Sequence, residues 1–279
     1  MKDEALQAKY ARMRQIIGSM ERVAVAFSAG ADSTFVLKVA LDELGPDNVI
    51  AVTGNSASLP RAELQEAARL AQTLGAEHVV LETGELDDPD YQANPKNRCY
   101  FCKARLYDEM ERFVRQRGIT HILDGINADD HGDWRPGITA AREHAVRCPA
   151  AEAGLTKADL RELSRQLGLP TFDKPASPCL ASRVQYGEQI TPQKLRRIES
   201  CEAFLHELGL RECRVRHHNQ LARIEVAADQ IVRLAEPDLR QRIVEHFRQA
   251  GYNYVSLDLQ GFRSGSMNEV NYPLLRSRV

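Results

Sequence analysis

The chain has 279 residues, with 37 basic and 39 acidic side chains and a formal net charge of −2. This near balance argues against a surface that binds polyanions generally, although it allows local basic clusters. No apolar run reaches membrane-spanning length, and the opening Met-Lys-Asp-Glu-Ala-Leu-Gln lacks the apolar region of a secretion signal, so we expect a cytosolic protein with no membrane partner.

Strand and helix patterns alternate through the first part of the chain. Apolar runs predict strands beginning at Val23 and over 49–53, 77–82 and 121–126. Helical periodicity predicts helices over 3–21, about 60–74, 100–117 and about 156–167. This alternation is typical of an α/β fold with a doubly wound parallel sheet.

One strand-to-helix junction, residues 28–34, consists of small and polar residues. Small residues let backbone N–H groups approach an anion, the following helix adds its positive end, and hydroxyls come from Ser28, Ser33 and Thr34. Two common phosphate loops are excluded because the segment has no lysine and a single glycine, Gly30. We interpret Asp32 as a ligand for the Mg²⁺ that accompanies a nucleotide. An ordinary turn is the alternative.

Polar and small residues also follow the second and fourth predicted strands. Ligands of open α/β sheets bind outside the carboxyl ends of strands. We therefore predict nucleotide contacts from Thr53, Gly54, Asn55, Gly125 and Asp129. For Asn127, Asp129 and Asp130 a solvated turn is the alternative.

Beyond Tyr186 the pattern changes to short strands and two long helices. We predict helices over 192–208 and about 229–250, and strands over 213–217, 221–226 and 254–259. These elements form a smaller α+β module. The proline-marked loop 173–183 precedes it, so we place the domain boundary between residues 183 and 184, giving domains 1–183 and 184–279.

Three of the six cysteines stand out. Cys99 and Cys102 lie three residues apart at the start of a predicted helix, so both sulfurs share one face. Such a pair serves as a redox couple, half a zinc site or part of an iron–sulfur site. Zinc is weakened because no second pair of this kind follows. Cys179 lies in a proline-flanked loop, and with the pair it makes a three-thiolate set that leaves one cluster position open. For Cys148, Cys201 and Cys213 we expect burial.

The predicted strand 213–217 is basic. Arg214 and Arg216 lie on one face of it, and Val215 on the other. Two guanidinium groups roughly 7 Å apart suit a phosphate, which arginine binds in bidentate fashion. A solvated sheet face is the alternative.

Residues 28–33 resemble the PP-loop, Ser-Gly-Gly-x-Asp-Ser, of the ATP pyrophosphatases, which cut ATP to AMP and pyrophosphate. Ala29 replaces the first glycine, so either its φ is negative or the turn carries about 1 kcal/mol of strain. With Asn-Arg-Cys-Tyr-Phe-Cys-Lys, Pro-Cys-Leu-Ala-Ser-Arg, the Arg-x-Arg strand, Ala-Arg-Ile-Glu-Val and Arg-Ser-Gly-Ser-Met-Asn-Glu, the chain resembles, over nearly its whole length, the LarE family. These ATP-dependent sulfur transferases build the nickel-pincer nucleotide of lactate racemase.

The resemblance implies that ATP adenylates a carboxylate of pyridinium-3,5-biscarboxylic acid mononucleotide and that sulfur then displaces AMP, once for each carboxylate. It implies ATP, Mg²⁺ and a [4Fe–4S] cluster as cofactors, a sulfide or other sulfur donor as partner, and a homo-oligomer, a hexamer in the family. The cluster ligands would be Cys99, Cys102 and Cys179. Family members without the cluster sacrifice the cysteine at the Cys179 position, which remains an alternative.

The resemblance also assigns roles to other residues. Arg214 and Arg216 would bind the substrate phosphate, and Glu225 and Arg263 would lie near the substrate. We expect catalytic contributions from Asp32, Cys179, Lys103, Ser182 and Arg183. Two rival functions remain. One is a PP-loop enzyme that thiolates tRNA, since three-cysteine clusters occur there too, and the other is a nucleotide-sensing module without chemistry.

Overall fold

The computed structural model describes residues 2–132, 136–263 and 265–268. The chain divides into two compact units: an N-terminal unit of Met1–Tyr91 and Pro95–Ser177, and a C-terminal unit of Gln92–Asn94 and Pro178–Val279. None of the helices in the described ranges is long and apolar enough to cross a membrane. The predicted domain boundary between residues 183 and 184 stays a prediction.

The first part of the chain alternates helices with four strands. In chain order these elements are α1 (Lys2–Gly18), β1 (Val23–Ala26), α2 (Ala31–Leu44), β2 (Val49–Asn55), α3 (Arg61–Leu74), β3 (Glu77–Glu82), the short α4 (Pro89–Gln92), α5 (Arg98–Arg117), β4 (His121–Leu123), α6 (Pro136–Glu143), α7 (Pro149–Glu152) and α8 (Lys157–Gln166). The strands form one parallel sheet in the order β3-β2-β1-β4.

Helices pack on both faces of this sheet. On one face Val23, Val25 and Ala51 pack against apolar residues of α1, α2 and α8. On the other face Ala24 and Ile50 pack against α5 and α6. Successive strand residues therefore face opposite cores, which explains why the strands are apolar throughout. The predicted doubly wound α/β fold is confirmed.

Two strands of this sheet differ in length from the prediction. β2 continues through Gly54 and Asn55, which pair with Leu81 and Glu82 of β3, so these two residues belong to the sheet and not to the loop after it. β4 stops at Leu123, because its register partner β1 is short and the next residue, Asp124, donates its backbone N–H to Arg147 instead. Later in the chain, the strand predicted over 254–259 covers Tyr254–Leu257, and the strand predicted over 213–217 covers Cys213–His218.

The C-terminal unit holds a second sheet. Its elements are α9 (Pro192–Glu207), β5 (Cys213–His218), β6 (Leu221–Val226), α10 (Ile231–Leu234), α11 (Pro237–Gln249) and β7 (Tyr254–Leu257), and the strand order is β5-β6-β7. β5 and β6 are antiparallel, and β7 runs parallel to β6. The single helix predicted over 229–250 is wrong: Pro237 cannot continue a helix from α10, so it begins a new one.

Candidate functional site

The turn between β1 and α2 is strained at Ala29, which is one of the two possibilities that the sequence left open. Ala29 has a φ of +53°, a left-handed conformation that costs a residue with a Cβ roughly 1–2 kcal/mol. The Ser28 and Ser33 hydroxyls lie 3.2 Å apart, and the Gly30 N–H points to the Ser28 hydroxyl at 3.4 Å. These contacts close residues 28–33 into a compact loop.

The start of α2 is open to an anion. Gly30 precedes the helix and no side chain caps its first turn. The first backbone N–H groups of α2 are therefore hydrogen-bond donors without an acceptor in the helix. Together with the dipole of this 14-residue helix, they favour negative charge at the loop. Gly125 packs against this turn: a Cβ there would come within 2.8 Å of the Ser33 backbone nitrogen, which explains the glycine by packing alone.

Two lysines that the sequence analysis missed reach this loop from distant segments. The Lys174 ammonium donates to the Ala29 carbonyl at 3.2 Å and pairs with Glu63 of α3 at 2.9 Å. The Lys157 ammonium, at the first residue of α8, pairs with Asp32. Only packing of the chain brings these charges to the loop, so no local motif marks them.

Asp32 has the features of a metal ligand. One oxygen, Oδ2, accepts from Lys157, and the other, Oδ1, is buried without a hydrogen-bond partner among the described residues. A buried carboxylate oxygen normally has a partner, and Mg²⁺ prefers such hard oxygen ligands. The residue therefore fits the predicted magnesium role.

The residues predicted to follow β2 are used within the sheet. The Thr53 hydroxyl donates to the Phe27 carbonyl at 2.7 Å and lies 2.8 Å from His78 Nε2. Asn55 donates to Glu82 at 2.6 Å. A Cβ on Gly54 would come within 2.9 Å of the Leu106 side chain. These contacts explain the roles of the three residues within the sheet. Their contacts with a nucleotide stay predictions.

Asp129 lies in a short 3₁₀ helix, Ala128–Gly132, that follows β4. Its carboxylate accepts the backbone N–H of Lys157 at 2.8 Å, and Thr156 and Asp159 form a capping box on the same helix end. Asp129 therefore positions the first residue of α8. Asn127 and Asp130 bond each other locally, since the Asn127 N–H donates to the Asp130 carboxylate at 3.0 Å.

Lys103 on α5 belongs to a charged cluster at the end of β4. Its ammonium lies 2.6 Å from the Asp124 carboxylate, which also accepts from the Tyr107 hydroxyl at 2.8 Å. Burial acts to lower the pKa of Lys103, but the attraction of Asp124 outweighs it, so the pKa of the lysine lies above its usual value. The ammonium therefore stays charged and is suited to stabilising an anion.

The six cysteines fall into two chemical classes. Cys99 is exposed, and Cys102 and Cys179 are half-buried. Burial raises the pKa values of Cys148, Cys201 and Cys213 to about 12, so these three keep their protons near neutrality. Cys201 and Cys213 are buried as predicted, whereas Cys148 is half-buried, just before α7.

Among the six cysteines, Cys99 is exposed, and Cys102, Cys148 and Cys179 share an intermediate exposure. Cys99 and Cys102 occupy the first turns of α5. Cys179 belongs to the C-terminal unit, and the pair to the N-terminal unit. The described residues contain no group of three or more His, Cys, Asp or Glu side chains arranged around a metal position. Thiolates are the usual ligands of iron–sulfur clusters, and a cluster at these three residues stays a prediction.

A buried arginine holds the Cys179 loop. Arg183 donates to the backbone carbonyls of Pro178 and Cys179, the latter at 2.9 Å. Its other nitrogens bind both oxygens of Glu202, at 3.0 and 2.9 Å. The side chains of Arg183 and Glu202 are only 3% and 8% exposed. These contacts make Arg183 a positioning residue for the loop, and Ser182 accepts from the same guanidinium.

The two arginines of the basic strand β5 have different surroundings. Arg216 is buried against Glu225, with both contacts at 3.0 Å or less, and also donates to Ser266. Arg214 lies over the Phe262 ring at 5.1 Å and has no carboxylate partner among the described residues. Burial, then repulsion from Arg183, lowers the pKa of Arg214 below its usual value. Of these two arginines, Arg214 is therefore the one whose charge is not paired with a carboxylate of the described residues.

Arg223 is a further basic residue on this face that the sequence analysis missed. It lies opposite Arg216 in the β5–β6 register and pairs with Glu225 at 3.0 Å and with Asp258. The alternation in Ala-Arg-Ile-Glu-Val is the signal that places Arg223 beside Glu225. Arg263 donates to the Gly261 carbonyl at 3.2 Å and lies 3.8 Å from Asp258.

The chain is similar to several known proteins. The family model for NAD synthase matches residues 9–98, which include the loop and α2. An uncharacterised protein of Synechocystis sp. is 44% identical over 265 residues, 95% of this chain and 98% of that protein. An argininosuccinate synthase of Natronomonas pharaonis is 28% identical over 159 residues, 53% of this chain and 40% of that enzyme.

A named relative covers the whole molecule. The pyridinium-3,5-bisthiocarboxylic acid mononucleotide synthase of Lactiplantibacillus plantarum is 37% identical over 264 residues, which are 95% of each chain. This similarity extends over nearly the whole chain and so includes both units. The chain belongs to the LarE family of PP-loop enzymes.

Proposed function

We propose that this enzyme uses ATP to convert the two carboxylates of pyridinium-3,5-biscarboxylic acid mononucleotide to thiocarboxylates. The named relative supports the substrate. The observation that carries the ATP chemistry is the loop at residues 28–33, with an uncapped helix start and an unpartnered Asp32 oxygen. Such a loop binds the phosphates of a nucleotide.

Activation comes first because a carboxylate oxygen is a poor leaving group. A substrate carboxylate attacks the α-phosphorus of ATP, the bond to the bridging oxygen breaks, and pyrophosphate leaves. Mg²⁺ held by Asp32 would neutralise charge on the departing phosphates. The N–H groups at the start of α2 hold the phosphates, and the permanently charged Lys103 stabilises the acyl-adenylate.

Sulfur transfer follows on the activated carbon. A [4Fe–4S] cluster held by Cys99, Cys102 and Cys179, with its fourth iron open, would supply a deprotonated sulfide. The new carbon–sulfur bond replaces the carbon–oxygen bond, and AMP leaves. Arg183 supports this step by fixing the Cys179 loop. These three thiols are exposed or half-buried, unlike the buried Cys201 and Cys213, and this supports the ligand set.

Arg214 is the better candidate for binding the substrate phosphate. Its guanidinium is not neutralised by a carboxylate of the described residues, whereas Arg216 and Arg223 share Glu225. Arg216 holds Glu225 in place, and it keeps an Nη1 contact to the Ser182 carbonyl at 3.3 Å. This division gives the phosphate one binding arginine and one supporting arginine. We also propose a homo-oligomer, as in the family.

Pyrophosphate release tests the function. The wild-type enzyme with ATP and Mg²⁺ should release pyrophosphate when the pyridinium biscarboxylate mononucleotide is added, and not when tRNA is added. Asp32→Asn should abolish this release, and Asp42→Asn, on the exposed part of the same helix, should leave it intact. Release that depends on tRNA, or full release by Asp32→Asn, would contradict the proposal.

Anaerobic iron and sulfide analysis tests the cluster. Wild-type protein should carry about four irons per chain, and alanine at Cys99, Cys102 or Cys179 should remove them. Cys201→Ala is the matched control and should keep its iron, because that thiol is buried and protonated. An iron-free protein that turns over once and loses sulfur from Cys179 would establish the sacrificial route instead.

A further inference from the structure

One ion pair occupies the carboxylate that the proposed mechanism assigns to magnesium. The Lys157 ammonium contacts Oδ2 of Asp32, and the two side chains are 38% and 26% exposed. Both residues belong to the N-terminal unit, and they are 125 positions apart in the chain. The pair therefore results from the packing of α8 against α2.

The backbone of Lys157 is held while its side chain is not. Its N–H donates to Asp129 at 2.8 Å, and the capping box of Thr156 and Asp159 fixes the same turn. The ammonium lies at the end of a flexible four-carbon stem, and among the described side chains it contacts Asp32 alone. The helix end thus fixes the backbone of Lys157, whereas the ammonium of the side chain can change its position.

Magnesium and this ammonium compete for one carboxylate. Asp32 has a second oxygen, Oδ1, without a partner among the described residues, but a divalent ion there would lie beside a like charge. Like charges a few ångströms apart repel strongly in a partly buried site. Binding of Mg²⁺ to Asp32 therefore drives the ammonium away from the carboxylate.

The phosphates give the displaced ammonium a partner. Residues 28–33 contain no lysine, although phosphate loops commonly use one as a point charge. Asp32 lies in the first turn of α2, so an anion at that helix end is within reach of the Lys157 stem. Lys157 thus supplies from a distant helix the charge that the loop lacks.

We propose that Lys157 is an exchangeable counterion. It occupies Asp32 when the nucleotide is absent, and it moves to the leaving pyrophosphate group of ATP when Mg²⁺ takes the carboxylate. This inference rests on the proposed function, because it assumes that Mg·ATP binds at residues 28–33. It makes Lys157 a catalytic residue that contacts the substrate phosphates.

The exchange predicts effects of opposite sign for Lys157→Gln. Without a nucleotide, Mn²⁺ used as the probe should bind the variant about threefold to tenfold more tightly than wild type, since its competitor is gone. Mg·ATP should bind about tenfold or more weakly, since a charged contact to phosphate is lost. Electron paramagnetic resonance of free Mn²⁺ and calorimetry with Mg·ATP measure the two affinities without turnover.

Two variants serve as controls. Lys157→Arg keeps the charge and should bind Mn²⁺ as weakly as wild type. Lys9→Gln removes one charge from a pair with Asp159 of the same helix α8, at 2.8 Å, and should change neither affinity. Circular dichroism checks that each variant is folded.

The outcomes separate this inference from the proposed function. Wild-type protein that binds no Mg·ATP overturns both. Normal Mg·ATP binding by wild type, with Mn²⁺ affinity unchanged or weakened in Lys157→Gln, overturns the exchange alone. Unchanged Mg·ATP affinity in Lys157→Gln also overturns it, because the ammonium then has no phosphate contact.

Discussion

Replacing Arg183 by methionine should destabilise the C-terminal unit by about 3–5 kcal/mol. Arg183 and Glu202 form a two-pronged pair at 3.0 and 2.9 Å, and both side chains are almost fully buried. Methionine leaves the buried Glu202 carboxylate with the Val215 N–H, at 2.9 Å, as its remaining hydrogen-bond donor among the described residues. The carbonyls of Pro178 and Cys179 lose their donor as well.

Native-state hydrogen exchange measures this loss in the unit concerned. A loss of about 3–5 kcal/mol should speed exchange of amides in β5 by roughly 150-fold to 5,000-fold. Amides of β1, in the N-terminal unit, are the internal control and should keep their rates. Anaerobic iron content should fall in the same variant, because the Cys179 loop is no longer held.

A second substitution distinguishes an uncompensated charge from a packing defect. Adding Glu202→Leu to Arg183→Met removes the isolated carboxylate, so most of the lost stability should return. Iron content should stay low, because the carbonyls of Pro178 and Cys179 still lack Arg183. A single-variant loss below about 1 kcal/mol, or a double variant no more stable than the single one, would refute this reasoning.

Three further predictions concern other contacts of the two units. Arg214→Gln should raise the KM for the mononucleotide about tenfold or more with little change in melting temperature. Arg216→Gln should lower the melting temperature markedly, because the buried Glu225 loses one of its two arginine partners and keeps only the other, Arg223, among the described residues; equal effects on both measurements would contradict the division. Lys174→Met should raise the KM for ATP about threefold to tenfold, because the Ala29 carbonyl loses its donor; an unchanged KM would count against that contact. Burial raises the pKa of Cys201 from 9.0 to about 12. An unfolded thiol then releases its proton first, so wild-type stability should fall more steeply above pH 9.0 than that of Cys201→Ala, by about 1.4 kcal/mol per pH unit, in urea titrations; parallel curves would exclude the effect.

Local patterns in the sequence were enough for most of the fold. The apolar residues from Val23 to Phe27 specify a strand buried on both faces, and glycines such as Gly75 and Gly118 end helices in the left-handed conformation. The extension of β2 to Asn55 was missed because it depends on cross-strand pairing with Glu82, which no local pattern encodes. The break at Pro237 was legible, but the apolar periodicity on both sides of it concealed the interruption.

Long-range electrostatics limited what could be predicted of the site. The loop at residues 28–33 is a contiguous motif and was recognised. Lys157 and Lys174 join it only through packing, 125 and 145 positions along the chain. Arg214 and Arg216 are equivalent in the sequence, and they differ because Arg216 alone of the two forms an ion pair with Glu225. Charge compensation of this kind depends on side-chain geometry, which strand alternation does not determine.

Mass spectrometry of the reaction product tests the central claim most directly. Anaerobic enzyme is mixed with ATP, Mg²⁺, a sulfide source and the pyridinium biscarboxylate mononucleotide, and pyrophosphate is counted in parallel. We predict stepwise exchange of one oxygen for one sulfur at each carboxylate, with one pyrophosphate released for every sulfur gained, over repeated turnovers. Pyrophosphate release without any sulfur in the mononucleotide would contradict the assignment of this chain as a sulfur transferase.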